Sequence, residues 1–169
     1  AIGHDFITES RNQLEASRKL IAHCVSQLDD AQIWAREHDD LNSIGNLLLH
    51  LAGNLTQRFA SGIGGEPDRR DRPREFNERS AIPRDDLMAR FESAVKVADA
   101  ILGRLTAAQL NESRPYATLA GNDEISVMAV IFRTLVHLNG HGQEIVFMTR
   151  RLLGNSYRFQ SPSGVPKRT

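Results

Sequence analysis

Two histidines of this 169-residue chain have the spacing of metal ligands on a helix. His137 and His141 lie four residues apart in the apolar segment LVHLNGHGQE. In an α-helix both imidazoles would lie on one face, about 6 Å apart along the axis. Two imidazoles at this spacing can bind one ion, as in the HExxH helix of zinc enzymes. They can equally be packed core residues that bond to backbone carbonyls, so the pair alone leaves both interpretations open.

Two glycines beside His141 add a further indication. Gly140 and Gly142 flank this histidine inside a predicted helix, and each costs about 1 kcal/mol of helix propensity relative to alanine. Glycines retained at that cost predict either the close approach of a neighbouring backbone or an open cavity beside the imidazole.

A third histidine favours a site over a packed core. His50 lies within NLLLHLAGN, with Asn46 and Asn54 four residues to either side of it. One helical face would then carry two amides and an imidazole in an apolar segment, which indicates a small polar cavity, because a solvated face would carry Lys or Glu. If this helix faces the one that carries His137 and His141, the three imidazoles converge. Three imidazoles with an open fourth position are typical of a catalytic metal site.

The remaining histidines are predicted to lie outside any site. His4 is close to the terminus, and His38 lies in the polar stretch AREHDD. His23 is followed by Cys24, but adjacent helical residues diverge by about 100°, so the two side chains cannot easily bind one ion.

Four long helices are predicted to position these residues. Their apolar residues recur at helical spacing over residues 5–28, 42–60, 83–105 and 126–154, and no segment alternates well enough to predict a strand. Four such helices predict an all-α fold, a four-helix bundle, with one domain over residues 1–154 and an irregular tail over 155–169.

The connection between the second and third helices is unusually long and charged. It reads EPDRRDRPREFNERS over residues 66–80, and connections of this length are either functional or disordered. Because acidic and basic side chains interleave, we expect a solvated crossover with internal ion pairs, rather than a basic element that recognises substrate. Phe76 is the one apolar side chain that could anchor it to the body of the protein.

Composition excludes several classes of partner. Lys plus Arg and Asp plus Glu each number 21, so the formal net charge is zero, which argues against a dedicated nucleic-acid binder. The longest apolar runs, such as LLL at 47–49, are too short to span a membrane. With a single cysteine and no visible signal or transit peptide, a cytoplasmic location is expected.

The ordered set of motifs resembles the DinB-like superfamily, and within it a branch of unknown function. The resemblance runs from the first helix to Gly154. It is carried by NSIGNLLLHLAGNLTQRF at 42–59, DRRDRPREF at 68–76 and VHLNGHGQEIVFMTRRLLG at 136–154. The residues that match in the second and third motifs are Arg70, Arg72, Glu75, Phe76 and Gln143.

This resemblance implies a DinB-like bundle of up-down-down-up type, commonly a homodimer, with a divalent metal ion on His50, His137 and His141. Characterised relatives bind zinc or nickel. Several are thiol S-transferases or thiol-dependent isomerases that use low-molecular-weight thiols, and others have no established activity. For Glu144, next to the third ligand, we weigh a role as base or as partner of a ligand against an ordinary surface position. Asn46 and Asn54 are candidates to orient substrate or solvent.

The expected function is therefore that of a metal-dependent enzyme acting on a small molecule. A bound ion would lower the pKa of a thiol or of water, which favours a thiol S-transferase or a hydrolase. The alternative is a non-catalytic, metal-binding dimeric bundle that senses an ion or serves a stress response or protein interaction. An open coordination position would favour the enzyme.

Overall fold

The structure is a computed structural model that describes residues 2–80, 82–118 and 120–160. The described chain is mostly helical and carries one small antiparallel sheet. The helices are α1 (Ile2–Val25), α2 (Asp30–Trp34), α3 (Ile44–Leu55), α4 (Arg72–Asn77), α5 (Arg84–Leu102) and α6 (Val127–Leu153), and the strands are β1 (Ser113–Thr118) and β2 (Gly121–Ser126). Short 3₁₀ turns cover Ala108–Asn111 and Gly154–Ser156.

Four long helices enclose the core. α1 packs against α5 and α6, and α3 packs against the same two helices. Their buried faces follow the predicted periodicity, as in α5, where Leu87, Phe91, Ala98 and Leu102 are almost fully buried. Burial of such apolar surface at about 25 cal/mol per Å² is the main driving force for this packing.

Local signals explain where the helices that carry the site begin and end. Ser43 caps α3 through a capping box with Asn46, in which each side chain bonds to the other residue's backbone. Ser126 caps α6, and Gly154 ends it with a positive φ of 53° that a residue with a Cβ rarely adopts. Pro83 directly precedes α5 instead of being its first residue.

The prediction that the chain contains no strand was wrong. β1 and β2 pair in antiparallel register from Ser113 opposite Ser126 to Thr118 opposite Gly121. Most of their side chains are exposed, so the hairpin lacks the alternation of apolar and polar residues from which strands are read. An isolated two-stranded hairpin is marginal in water, and this one gains support by contacting the chain that follows α3 and the first part of α6.

The end of α3 has an unusual geometry. From Thr56 to Ile63 the helix continues as a wider π-helical turn, and Gly64 and Gly65 then end it. Such turns recur at functional sites because they change the direction in which side chains project. The predicted helix over 42–60 therefore contains two geometries.

The long connection 66–80 is not irregular throughout. α4 lies within it, with Asp71 as N-cap and Pro73 in its first turn. The predicted C-terminal tail is described only to residue 160, and 161–169 lie outside the described residues. Tyr157 packs against the core, and the Arg158 carbonyl lies 2.6 Å from a ring nitrogen of His23. Across the described ranges, no helix combines the length and apolar character needed to cross a bilayer.

Candidate metal centre

Three histidines from two helices meet at one point. One ring nitrogen from each of His50 on α3 and His137 and His141 on α6 lies within 4.8 Å of the other two. The ring centroids are 4.6 to 5.2 Å apart, and the Nε2 atoms of His50 and His137 are separated by 3.0 Å. The structure thus brings together the three predicted ligands, which we call the three-histidine cluster.

A hydrogen bond to Glu75, on the side of the ring away from His137, orients His50. Its Nδ1 lies 2.9 Å from Oε2 of Glu75, and both side chains are more than nine-tenths buried. An ionised carboxylate can only accept a hydrogen bond, so Nδ1 carries the proton and donates it to Oε2. Nη2 of Arg70 lies 3.0 Å from this Nδ1 and donates to the same carboxylate oxygen. The Nε2 atom therefore keeps its lone pair, and that atom is the one directed toward His137. A carboxylate behind a ligating imidazole is the usual device for fixing its tautomer.

Glu75 is itself held by Arg70. Nε and Nη2 of Arg70 donate to the two carboxylate oxygens, each over 2.8 Å, which makes a bidentate pair. Burial alone would raise the pKa of Glu75, but the hydrogen bonds and charges of Arg70 and His50 lower it below its ordinary value. Nη1 of Arg70 continues the network to Gln57, which donates to Asp68. Glu75 is therefore ionised where it meets His50.

The expectation of a solvated charged connection was wrong for Arg70 and Glu75. Ion pairing within the segment was predicted, but the side chains of Arg70 and Glu75 are only 6 % and 9 % exposed and lie against the candidate site. The composition of the segment could not reveal the burial of Arg70 and Glu75, because most of the neighbouring acidic and basic residues are the same residue types and are exposed. The only signal in the sequence was the motif resemblance, which includes both residues.

Contacts with α3 hold α4 beside the cluster. The amide nitrogen of Asn46 donates to the backbone carbonyls of Glu75 and Glu78 over 2.9 and 3.1 Å. Phe76 lies against the ring of His50, with centroids 4.7 Å apart, as expected of the apolar anchor. A Cβ on Gly53 would collide with the Glu75 carboxylate. Glycine is thus required at 53 for the carboxylate to reach His50.

The two histidines of α6 differ in their surroundings. Nδ1 of His137 is buried and has no hydrogen-bond partner among the described residues. Burial, together with the charges of neighbouring residues, lowers the pKa of His137 from 6.5 to about 4. Nδ1 of His141 lies 2.7 Å from Oε2 of Glu144, and the His141 side chain is 26 % exposed. The cluster is closed at His50 and open to solvent at His141.

The donor set fits a divalent metal ion. Burial also lowers the pKa of His50, although its hydrogen bond to Glu75 opposes that shift. A histidine binds a metal ion through a neutral imidazole, and a lowered pKa keeps the ring neutral at pH 7. Without an ion, a single proton can bridge the facing Nε2 atoms of His50 and His137. That hydrogen bond does not include the ring of His141. Three imidazoles and an open side match sites for zinc or nickel better than sites for calcium or magnesium, which prefer oxygen.

The other candidate residues have distinct surroundings. Asn46 is fully buried, and its oxygen accepts from Ser43 and Arg36, so every polar atom of its amide bonds to protein. Asn54 is 8 % exposed, and no hydrogen bond joins its amide to the described part of the chain. Glu144 contacts His141, as one of the two interpretations of this residue requires.

The glycines and the remaining histidines lie outside the cluster. An added Cβ at Gly140 would meet nothing within 4 Å, and one at Gly142 would meet the Ile21 side chain at 3.8 Å. Of the two predicted alternatives, the close approach of a backbone is therefore not found at either glycine, and Gly140 faces open space. His4 and His38 are exposed, and His23 bonds to the carbonyl of Arg158. None of these three belongs to the group of potential metal ligands.

Solved structures with similar folds are distant in sequence. A conserved protein from Enterococcus faecalis aligns with a TM-score of 0.70 at 13% identity, over 87% of this chain and 96% of that one. A DinB-like protein from Bacillus cereus gives 0.65 at 12% identity, over 87% and 90%. The mycothiol-dependent maleylpyruvate isomerase gives 0.63 at 18% identity, over 85% of this chain but only 62% of the isomerase. Likeness at this identity establishes the DinB-like fold and nothing further.

Family models assign the chain directly. No curated protein matches it significantly. The model described as "Protein of unknown function (DUF1572)" matches residues 1–166, nearly the whole sequence. This assignment agrees with the resemblance to a branch of unknown function within the DinB-like superfamily. The chain is a member of the DUF1572 family, and it has the DinB-like fold.

Proposed function

We propose that this protein is a metal-dependent enzyme that holds a divalent ion, zinc or nickel, on His50, His137 and His141 and acts on a small molecule. The observation that carries the proposal is the convergence of three ring nitrogens within 4.8 Å of one another, with the His141 side chain partly exposed to solvent. When bound, such an ion supplies Lewis-acid chemistry, because it lowers the pKa of a thiol or water bound to it.

The chain's own residues have separable tasks in this proposal. Glu75 and Arg70 fix the tautomer of His50, so that Nε2 remains available as a ligand. Glu144 lies 2.7 Å from His141 at the open side, and it is the carboxylate placed to orient that ring or to accept a proton there. Phe76 packs against the ring of His50 and helps to fix its position.

We favour thiol activation over water activation, with a low-molecular-weight thiol as co-substrate. Support comes from the fold neighbour named as a mycothiol-dependent isomerase, although that likeness spans 62% of the isomerase and is one of fold alone. The proposal also includes a four-helix bundle of up-down-down-up type that forms a homodimer in the cytoplasm, with no nucleic-acid or membrane partner. Light scattering of the purified chain tests the dimer.

Metal content tests the site itself. Protein reconstituted with zinc or nickel and dialysed should retain close to one ion per chain by elemental analysis. His50→Ala should lower that content by about an order of magnitude, because a tridentate site becomes bidentate. His38→Ala removes an exposed histidine outside the cluster and should leave it unchanged. Unchanged metal content in the His50 variant would overturn the assignment.

Activity then separates an enzyme from a binder. Metal-loaded protein is assayed for conjugation of monochlorobimane with bacillithiol, mycothiol, glutathione or coenzyme A, with the chelated protein as control. Metal-dependent conjugation supports the S-transferase. An ion retained without any metal-dependent turnover, including hydrolysis, would favour the non-catalytic bundle.

A further inference from the structure

Two arginines flank the three-histidine cluster without an acidic partner. Arg58 lies two turns after His50 on the π-helical turn, and Arg133 lies one turn before His137 on α6. Within residues 2–80, 82–118 and 120–160, neither guanidinium has a carboxylate oxygen within 4.0 Å, whereas the nearby Arg70 is paired with Glu75. Two cations are thus placed beside the site with no direct ion pair to a carboxylate of the described residues.

Tyr116 of the hairpin holds both cations in one place. The guanidinium carbon of Arg58 lies 3.8 Å from the ring centroid of Tyr116, and that of Arg133 lies 5.4 Å from it. Nη2 of Arg58 also donates to the carbonyl of Ala117 over 2.8 Å. Stacking on an aromatic ring orients a guanidinium without using its hydrogen-bond donors. The hairpin that was absent from the sequence prediction therefore organises this side of the site.

Most of the hydrogen-bonding capacity of Arg58 is unused. Among the described residues, only Nη2 of its three nitrogens bonds to protein, and the buried Nε has no partner there. Burial lowers the pKa of the Arg58 guanidinium, and the more distant charge of Asp68 does not reverse that shift. Asn54 lies midway between His50 and Arg58 on the same helical face and is 8 % exposed, so its amide is placed to add a further donor beside Arg58. A buried donor left unpaired is costly, so this arrangement requires an acceptor from outside.

We propose that Arg58, Arg133 and Asn54 bind the carboxylate of the molecule that reacts at the three-histidine cluster. The proposal deepens the proposed function, on which it rests, by assigning a small organic acid as substrate class. Guanidinium groups bind a planar carboxylate through paired hydrogen bonds, and an amide adds a further donor. One helical turn separates Arg133 from His137, about 6 Å along the axis. The carboxylate should therefore lie a few bonds from the reacting atom of the bound molecule, as the carboxylate and the sulfur do in an N-acylated cysteine.

The carboxylate can belong to the thiol or to its acceptor, and matched probes distinguish the two. N-acetylcysteine and its carboxamide differ only in the anionic group, and N-acetylalanine with its carboxamide lacks the sulfur. Each probe is titrated calorimetrically into metal-loaded and chelated full-length protein. Metal content is measured in parallel on every sample.

The wild type should bind N-acetylcysteine about tenfold more tightly than the carboxamide, the effect of about 1.4 kcal/mol from one charge-assisted hydrogen bond. Arg133→Gln and Arg58→Gln should each abolish most of this preference while the carboxamide affinity and metal content stay within about twofold. Arg133 is exposed, so its variant folds even if the Arg58 variant does not. Arg90→Gln on α5, an exposed arginine outside the site, is the matched control and should keep the preference.

Each outcome decides the proposal. Equal affinity for acid and carboxamide in the wild type, or equal loss of both in the Arg133 variant, would overturn it even if the protein holds metal. A preference confined to N-acetylcysteine supports the thiol as the source of the carboxylate, and one shared by N-acetylalanine supports the acceptor. An Arg133-dependent preference in protein that binds no metal would preserve the carboxylate site and overturn the proposed metal-dependent function instead.

Discussion

Nδ1 of His50 donates to the Glu75 carboxylate over 2.9 Å, and this buried contact joins the candidate metal centre to the charged segment between α3 and α5. Glu75 fixes which nitrogen of His50 is free, and Arg70 keeps Glu75 ionised. A segment that looks like an ordinary surface connection therefore controls the chemistry of an imidazole in the core.

Replacing Glu75 should damage both metal affinity and stability. In Glu75→Gln the amide nitrogen faces a donor of either His50 or Arg70, and Arg70 becomes a buried unpaired charge. Loss of one partner of a buried pair costs about 3–5 kcal/mol, and loss of a residue that orients a ligand lowers metal affinity about 10–100-fold. Denaturant unfolding and competition with a metal chelator measure the two effects.

The control for this prediction is an exposed ion pair. Asp99→Asn breaks the pair of Arg11 and Asp99, whose side chains are nearly half exposed, and should cost about 1 kcal/mol or less with no change in metal affinity. If Glu75→Gln behaved like Asp99→Asn, Glu75 would not orient His50.

Gly53→Ala should lower metal affinity even though helix propensity favours alanine. The added Cβ would overlap Oε1 of Glu75 and approach Arg70 Nε to 3.2 Å, so the carboxylate must move away from His50. We expect a metal affinity at least about tenfold weaker by chelator competition. Gly140→Ala on α6, where a Cβ meets nothing within 4 Å, is the matched control. It should gain up to about 1 kcal/mol of stability and keep the metal, and a similar gain for Gly53→Ala would contradict the packing described.

The metal-free protein should lose stability as the pH falls from about 6.5 to about 4. Burial lowers the pKa of His137 to about 4 in the folded chain, whereas the unfolded chain takes up this proton near 6.5. Between these values the unfolded state binds more protons, so the free energy of unfolding rises with pH, by up to about 1.4 kcal/mol per pH unit for this group. Chelated wild type and His137→Gln are compared by denaturant unfolding across this range. The variant should have the shallower slope, and equal slopes would show that His137 is not buried in its neutral form.

The two asparagines that flank His50 should respond differently to substitution. Asn46→Ala removes bonds that both cap α3 and hold the carbonyls of Glu75 and Glu78, and should cost about 2–4 kcal/mol by denaturant unfolding. Asn54→Ala removes no hydrogen bond to the described protein and should cost about 1 kcal/mol or less. Its effect should appear in binding of N-acetylcysteine instead. Equal destabilisation by both would indicate that Asn54 has a structural role.

The helical spacing of apolar residues and histidines was the basis for much of what the sequence predicted. The i, i+4 spacing of His137 and His141 and the polar face around His50 arise from helical geometry, which is local and can be read from the chain. The starts of α3 and α6 were predictable for the same reason, since caps involve residues three apart. Asn46, by contrast, was predicted to orient substrate or solvent, and its actual contacts with Glu75 and Glu78 depend on residues about 30 positions away.

The sequence by itself determined the four long helices, their buried faces and the histidines that share a face, because these follow from short-range spacing. Only the tertiary structure decided that Arg70 and Glu75 are buried behind His50, and that Tyr116 gathers Arg58 and Arg133 beside the cluster. A charged side chain looks the same in sequence whether it is solvated or paired in the interior. Its burial is settled by which distant partner the packing brings within hydrogen-bonding distance, and composition and periodicity do not contain that information.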